Sequence, residues 1–204
     1  GNKSGRHWDA PVRPVDAFDA KADALAALAV AGAPVANLQV DRSAPGYFHP
    51  GRSGALRLGP NVLAHFGELH PAVLRGLDVD GPAVGFEVFV DRVPAAKSKG
   101  GRSRPALDAS AFQAVTRDFA FVVASEKPAD DVARAALSAE KGMITDVSVF
   151  DVFEGASLGA DRKSVAISVT LQPRDATLTD AEIDAIAAKI VANVEKRTGG
   201  TLRS

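Results

Sequence analysis

Two stretches in the first half of the sequence carry side-chain types that catalysis or metal binding would need. In HFGELH, His65, Glu68 and His70 supply two imidazoles and a carboxylate. Their spacing is neither H-E-x-x-H nor H-x-x-E-H, so no helix or strand would turn all three toward one ion. His70 stands before Pro71 and reads as a turn residue, and no metal site is expected. HPGRSG (His49–Gly54) has the glycines and the cation of a phosphate loop. It lacks the closing Gly-Lys-Ser/Thr and no helix signal follows it, so Arg52 is expected to be structural or at a subunit interface. Nor is it the G-x-S-x-G turn that exposes a nucleophilic serine, which leaves Ser53 a weak candidate. No catalytic residue is expected anywhere in the chain.

Aromatic side chains offer a different chemistry, the stacking of bases. Phe119 and Phe121 in VTRDFAFVV are two residues apart and share one face of a strand. Paired aromatics on an open sheet can stack nucleobases. The expectation is instead that they lie in a core beneath the helices, because their smaller neighbours Ala120 and Val122 suit an open face better.

The elements that would position these side chains are legible from Val115 onward. VTRDFAFVV (Val115–Val123), ITDVSVFDVFEG (Ile144–Gly155) and RKSVAISVTLQP (Arg162–Pro173) are Val-, Ile- and Phe-rich runs bounded by Pro, Gly and Asp, as strands are. In the third, Val165, Ile167, Val169 and Leu171 alternate with Ser164, Ala166, Ser168 and Thr170, a period of two that buries one face and opens the other. The polar row led by Ser164 marks the open face, beside Asp151-Val152-Phe153. Between the first two strands, Pro128, Asp130 and Asp131 suit a helix start, with Val132, Ala136 and Ala139 inward and Gly142 closing. Thr179 and Glu182 form a capping box, Leu178 and Ile183 its staple, and Ile183, Ile186, Ile190 and Val194 an apolar stripe ended by Gly199-Gly200. A short terminal strand, Thr201–Arg203, completes a βαββαβ, ferredoxin-like order with a sheet free on one face.

TRDFAFVV, FDVFEG, KSVAISVTLQP, TLTDAEI and GGTLR, in that order over about ninety-five residues, resemble the ferredoxin-fold anticodon-binding domain that ends bacterial phenylalanyl-tRNA synthetase beta subunits. RHWDAPVRPVDAFDAKAD, YFHPGRSGALRLG and LAHFGELHP, over residues 6–94, resemble the end of the catalytic-like module of the same subunits, a class II synthetase-type antiparallel fold that does not aminoacylate. The resemblance implies that Phe153, ending the FD-x-[YF] motif, stacks on an anticodon base and that Ser164 contacts the same region, with Asp151 and Lys163 nearby. Where the family commonly has tyrosine, Phe153 keeps the stacking face and loses the hydroxyl. Arg117-Asp118 matches the family's Arg-Asp pair and reads either as an RNA contact or as an internal ion pair. The resemblance further implies tRNA(Phe) and the synthetase alpha subunit as partners in an α2β2 assembly. ATP and magnesium would serve the whole enzyme, with no cofactor held by this chain.

Composition sets the outer bounds. The 204 residues are 46% hydrophobic and contain no cysteine, which excludes a disulfide framework, thiolate chemistry and Cys-ligated zinc. The longest apolar run, Ala24–Ala36, is too short to span a bilayer and holds Gly32 and Pro34. With no signal-peptide pattern and no initial methionine, the chain reads as a fragment of a longer cytoplasmic protein. The net charge of −1 hides an asymmetry, since residues 1–105 have 13 Lys+Arg against 10 Asp+Glu and residues 106–204 have 11 against 15. An acidic second half is ill suited to non-specific nucleic-acid binding, which runs on phosphate neutralisation.

The expected architecture is therefore α+β. A partial class II synthetase-like antiparallel α+β domain (1–94) and a basic linker (95–105) precede a ferredoxin-like βαββαβ domain (106–204). In the first, Asp16 or Asp19 caps a helix whose Phe18, Ala22, Leu25 and Leu28 share a face. Strands are expected at Val35–Val40, Ala55–Leu58, Val62–Phe66 and Val84–Val90, the last an interior one, with a small helix at Pro71–Leu77. The linker region, with Lys97, Lys99, Arg102 and Arg104 among Ser, Gly and Pro, reads as a solvated connection or a basic tether. A second functional class, a regulatory or assembly module binding a metabolite or protein on the open sheet, lacks a Gly-rich ligand loop. Limited proteolysis is expected to cut within Pro94–Leu107 and leave a resistant C-terminal core, and degradation of both halves without such a core would contradict this division.

Overall fold

In the computed structural model, which describes residues 1–95 and 109–203, the chain forms two units, Gly1–Ser103 and Arg104–Ser204. All of the expected linker but its first residue lies outside the described residues. The first unit begins with a carboxylate anchor. Asp16 caps helix α1 (Ala17–Val30), and the Asp19 carboxylate accepts from the Asp16 backbone N–H in return. Asp19 is only 8% exposed. Arg13 grips its two oxygens at 2.7 and 2.8 Å, and Lys3 reaches it at 2.6 Å. The segment before the helix is thereby tied to its first turn.

That anchor sets the phase of α1. Ala20, Ala24 and Leu28, one helical turn apart, are its buried row, while Phe18 and Ala22 are exposed and Leu25 is half-buried. The expected face was thus rotated from the observed one. In an alanine-rich helix the apolar contrast is too weak to fix the phase, and small residues at the contact let helix and sheet approach closely. The sheet is antiparallel in the order β1 (Gln39–Asp41), β2 (Phe48–Leu58), β3 (Asn61–Leu69), β4 (Val84–Val88). Val35–Asn37 is a 3-10 turn rather than the start of a strand, and α2 spans Pro71–Gly76. β4 is an edge strand with Phe86 exposed, not an interior one, because among the described residues nothing pairs beyond it in the sheet. HPGRSG lies within β2, where extra residues are inserted between the Phe48–Leu69 and Ser53–Gly67 pairs. Gly67 is glycine of necessity, since a Cβ there would lie 2.4 Å from Ser53 Cβ.

The second unit is built as the sequence predicts: β5 (Val115–Ala124), α3 (Ala129–Leu137), β6 (Ile144–Phe153), β7 (Arg162–Leu171), α4 (Asp180–Thr198) and β8 (Thr201–Leu202). The strand order is β6-β7-β5-β8 and every pair is antiparallel, which is the ferredoxin-like arrangement. One face of the sheet is covered by both helices. Val165, Ile167, Val169 and Leu171 of β7 and Phe121 and Val123 of β5 pack there against Val132 and Ala136 of α3 and against Ile183, Ile186, Ile190 and Val194 of α4. Phe119 joins this cluster, so both β5 aromatics serve the core. Full burial of a side chain such as Phe121 contributes about 1.5–3 kcal/mol. The Thr179–Glu182 capping box starts α4, and Gly199 ends it in the left-handed conformation at φ 70°. α3 stops at Leu137, short of Gly142, with Ala139 packed against the core beyond its end.

The anchor of the first unit makes a pH prediction. Arg13, and then Lys3, hold the Asp19 carboxyl well below the usual carboxylate range. As pH falls, the unfolded chain takes up this proton first, so the stability is intact at neutral pH and is lost below about pH 4. Asp19→Asn is expected to lower the melting temperature at neutral pH and to flatten its fall between about pH 4 and about pH 2. An unchanged acid slope in thermal melts of the variant would contradict the assignment.

Candidate nucleic-acid interface

The helix-free face of the second sheet is read directly from strand register. Phe153 on β6 faces Ser164 on β7, which faces Val122 on β5, which faces Thr201 on β8. The next row is Asp151, Ala166 and Ala120, continued by Arg203, whose backbone N–H donates to the Ala120 carbonyl at 2.7 Å. Ser164, Ala166 and Ala120 make a floor of small side chains between the outer strands. From one edge Phe153, 42% exposed, leans over it. From the other comes Arg203, whose guanidinium carbon lies 5.8 Å from the Phe153 ring centroid. That is near the outer limit for a cation attracted to an aromatic face.

A β-bulge puts Phe153 on this face. Val149 pairs with Ile167 on the helix side, yet Asp151 pairs with Ala166 on the open side. The extra residue between them, Phe150, is 59% exposed. Such an insertion reverses which face later side chains occupy, and here it turns Asp151 and Phe153 to the free face.

Of the residues singled out from sequence, Phe153, Ser164 and Asp151 come together here. Ser164 heads the open-face row but is only 3% exposed, so the expectation of an exposed serine is corrected. It sits on a strand paired on both sides, in register with Phe153 and Val122 and one row from Arg203. Lys163 and Arg117 have the opposite parity. Lys163 pairs with Val123 and is 7% exposed, and Arg117 pairs with Val169 near the far end of β5. Neither shares a face with Phe153. Arg117 and Asp118 lie on opposite faces of their strand, and among the described residues no ion pair joins them; the Arg117 guanidinium donates to the Thr116 carbonyl at 3.4 Å. Arg203 was not singled out, because a two-residue final strand has no periodicity from which to read its face.

The first unit uses its chemically capable side chains locally. Arg52 pairs with Glu68 at 2.6 Å. His70 caps α2, its Nδ1 accepting from the Ala72 N–H at 3.1 Å. His65 sets its ring edge-on to Phe89, and burial lowers its proton affinity. Among the described residues no three His, Cys, Asp or Glu side chains are grouped as a metal would need. No helix among them is long and apolar enough to cross a membrane.

Comparison with known proteins agrees with both halves of this description. Residues 110–203 match the family model of the ferredoxin-fold anticodon binding domain, and residues 1–90 match that of the phenylalanyl tRNA synthetase beta chain CLM domain. The chain is 58% identical over 201 residues to the phenylalanine–tRNA ligase beta subunit of Mesorhizobium japonicum, covering 98% of this chain and 25% of that protein. It is 56% identical to the same subunit of Bradyrhizobium diazoefficiens, with the same shares covered. The subunit of Rhodospirillum rubrum is 56% identical over 204 residues, covering 100% of this chain and 26% of that protein. The chain thus spans about a quarter of the length of the curated relatives it matches. Two family models that together match most of the chain, and beta subunits more than half identical across its length, place this chain in the phenylalanine–tRNA ligase beta-subunit family.

Proposed function

We propose that this chain is a non-catalytic part of a phenylalanine–tRNA ligase beta subunit and recognises the anticodon of tRNA(Phe) on the free sheet face of residues 106–204. The observation that carries the reading is Phe153, an aromatic ring left accessible over a floor of small side chains on a face no helix covers. Its π-face stacks on an anticodon base, and the Asp151 carboxylate beside it accepts from base N–H groups. Ser164 contributes its hydroxyl once the ring and Arg203 part. Arg117, exposed but off this face, acts on backbone phosphates, whereas Lys163, buried at the start of β7, contributes only its charge nearby. An excess of acidic residues in this half keeps the contact local, and the rest of the assembly supplies the long-range attraction.

In this reading residues 1–94 are the end of the catalytic-like module and 95–105 the connection. The alpha subunit activates phenylalanine with ATP and magnesium in a cytoplasmic α2β2 enzyme.

A base–aromatic stack is worth about 1–3 kcal/mol by alanine substitution. Phe153→Ala in the assembled ligase is therefore expected to weaken tRNA(Phe) binding about tenfold and to leave phenylalanine-dependent ATP–pyrophosphate exchange unchanged. Phe153→Tyr is expected to bind at least as well as the parent. A large loss of thermal stability with normal tRNA affinity would overturn the stacking role. For a half-exposed ring the stability cost should be small, whereas Phe121→Ala, in the core, should cost about 3–5 kcal/mol in denaturant melts.

A further inference from the structure

Gly155 follows Phe153 by two residues in FDVFEG, and its backbone, at φ −167° and ψ 158°, is ordinary extended chain that any residue adopts. Conformation is therefore no reason for a glycine here. Space is. A Cβ on Gly155 would lie 2.6 Å from Phe153 Cζ, 2.9 Å from Cε1 and 3.5 Å from Cε2. Real Cβ atoms essentially never approach ring carbons that closely, so a side chain at 155 and the present ring position exclude one another. The outer end of the Phe153 ring rests on the bare Cα of the turn after β6.

We infer that Gly155 is the positioning residue of the anticodon-stacking ring. It lets the Phe153 ring lie against the turn that opens at residue 155, at the height where the ring meets Arg203 across the small-residue floor. The inference rests on the stacking role proposed for Phe153. A side chain at 155 would push the ring tip off the turn, and a base would then meet the ring at the wrong height or tilt. The backbone tolerates alanine, so the substitution displaces the ring without straining the chain.

The test is a double-mutant cycle in the assembled ligase, read as tRNA(Phe) affinity, with Gly155→Ala, Phe153→Ala and both together. Gly155→Ala alone should weaken binding about fivefold or more, toward the low end of a lost base–aromatic stack. In the Phe153→Ala background it should add nothing further, because no ring remains to displace. Normal binding by Gly155→Ala, or losses that add independently in the double variant, would overturn the inference. If Phe153→Ala itself binds normally, the stacking role fails, an outcome distinct from failure of the positioning role alone. A readout that needs no variant at 155 is the nuclear Overhauser contact between the Gly155 Hα and the Phe153 ring protons of the present chain. The closeness of the ring tip to the Gly155 Cα predicts a strong cross-peak to the Phe153 Hζ or Hε protons. Its absence in the folded parent would contradict the geometry directly.

Discussion

The second unit depends on the pairing of β7 between β5 and β6. β7 is paired along most of both its edges, whereas β8 covers only two residues of β5, and the period-two alternation of β7 sorts the whole sheet into two faces. On one, Val165, Ile167, Val169 and Leu171 meet the helices and form the core. On the other, Ser164 and Ala166 are kept small between the side chains of the outer strands. A slip of one residue would drive serines into the helix interface and valines into the open face, so the apolar stripe of α4 pins the register. The floor of the candidate site is thus a by-product of the constraint that builds the core.

What stands on that floor is supplied by strand ends and irregularities. Phe153 ends β6, Arg203 follows β8, and the bulge at Phe150 turns the last residues of β6 over. Such positions carry less of the folding free energy than the centre of a sheet, and a half-exposed aromatic can be retained there for binding at little cost to stability. Ser164, a polar residue of the open face, is hidden on a strand flanked by β5 and β6, with Phe153 directly across from it.

Most of the second unit was legible in the sequence because its signals are strong and mutually consistent. Alternation in β7, the Thr179 capping box, the isoleucine stripe of α4 and Gly199 each name one element and agree on the whole. The first unit was less legible. Alanines at 20, 22, 24, 26 and 27 gave α1 no clear face, and β4 carried no sign that it is an edge. At the site, the identity of Phe153 was recoverable from the FDVFEG motif, but its face was not, since counting by twos from Val147 or Val149 carries it to the helix side. The bulge that corrects the count has no glycine or proline to announce it. Arg203 and the space above Gly155 appear only once β8 is paired and the ring is placed.

In the proposed reading an anticodon base lies on the free face between Phe153 and Arg203. Photo-crosslinking tests this most directly, using tRNA(Phe) with 4-thiouridine at single anticodon-loop positions bound to the assembled ligase, followed by mass spectrometry of the adducts. Adducts confined to the peptides carrying Asp151–Gly155 and Thr201–Arg203, from at least one anticodon position, are the predicted result. Adducts on the outer surfaces of α3 and α4, with none on those two peptides, would contradict it.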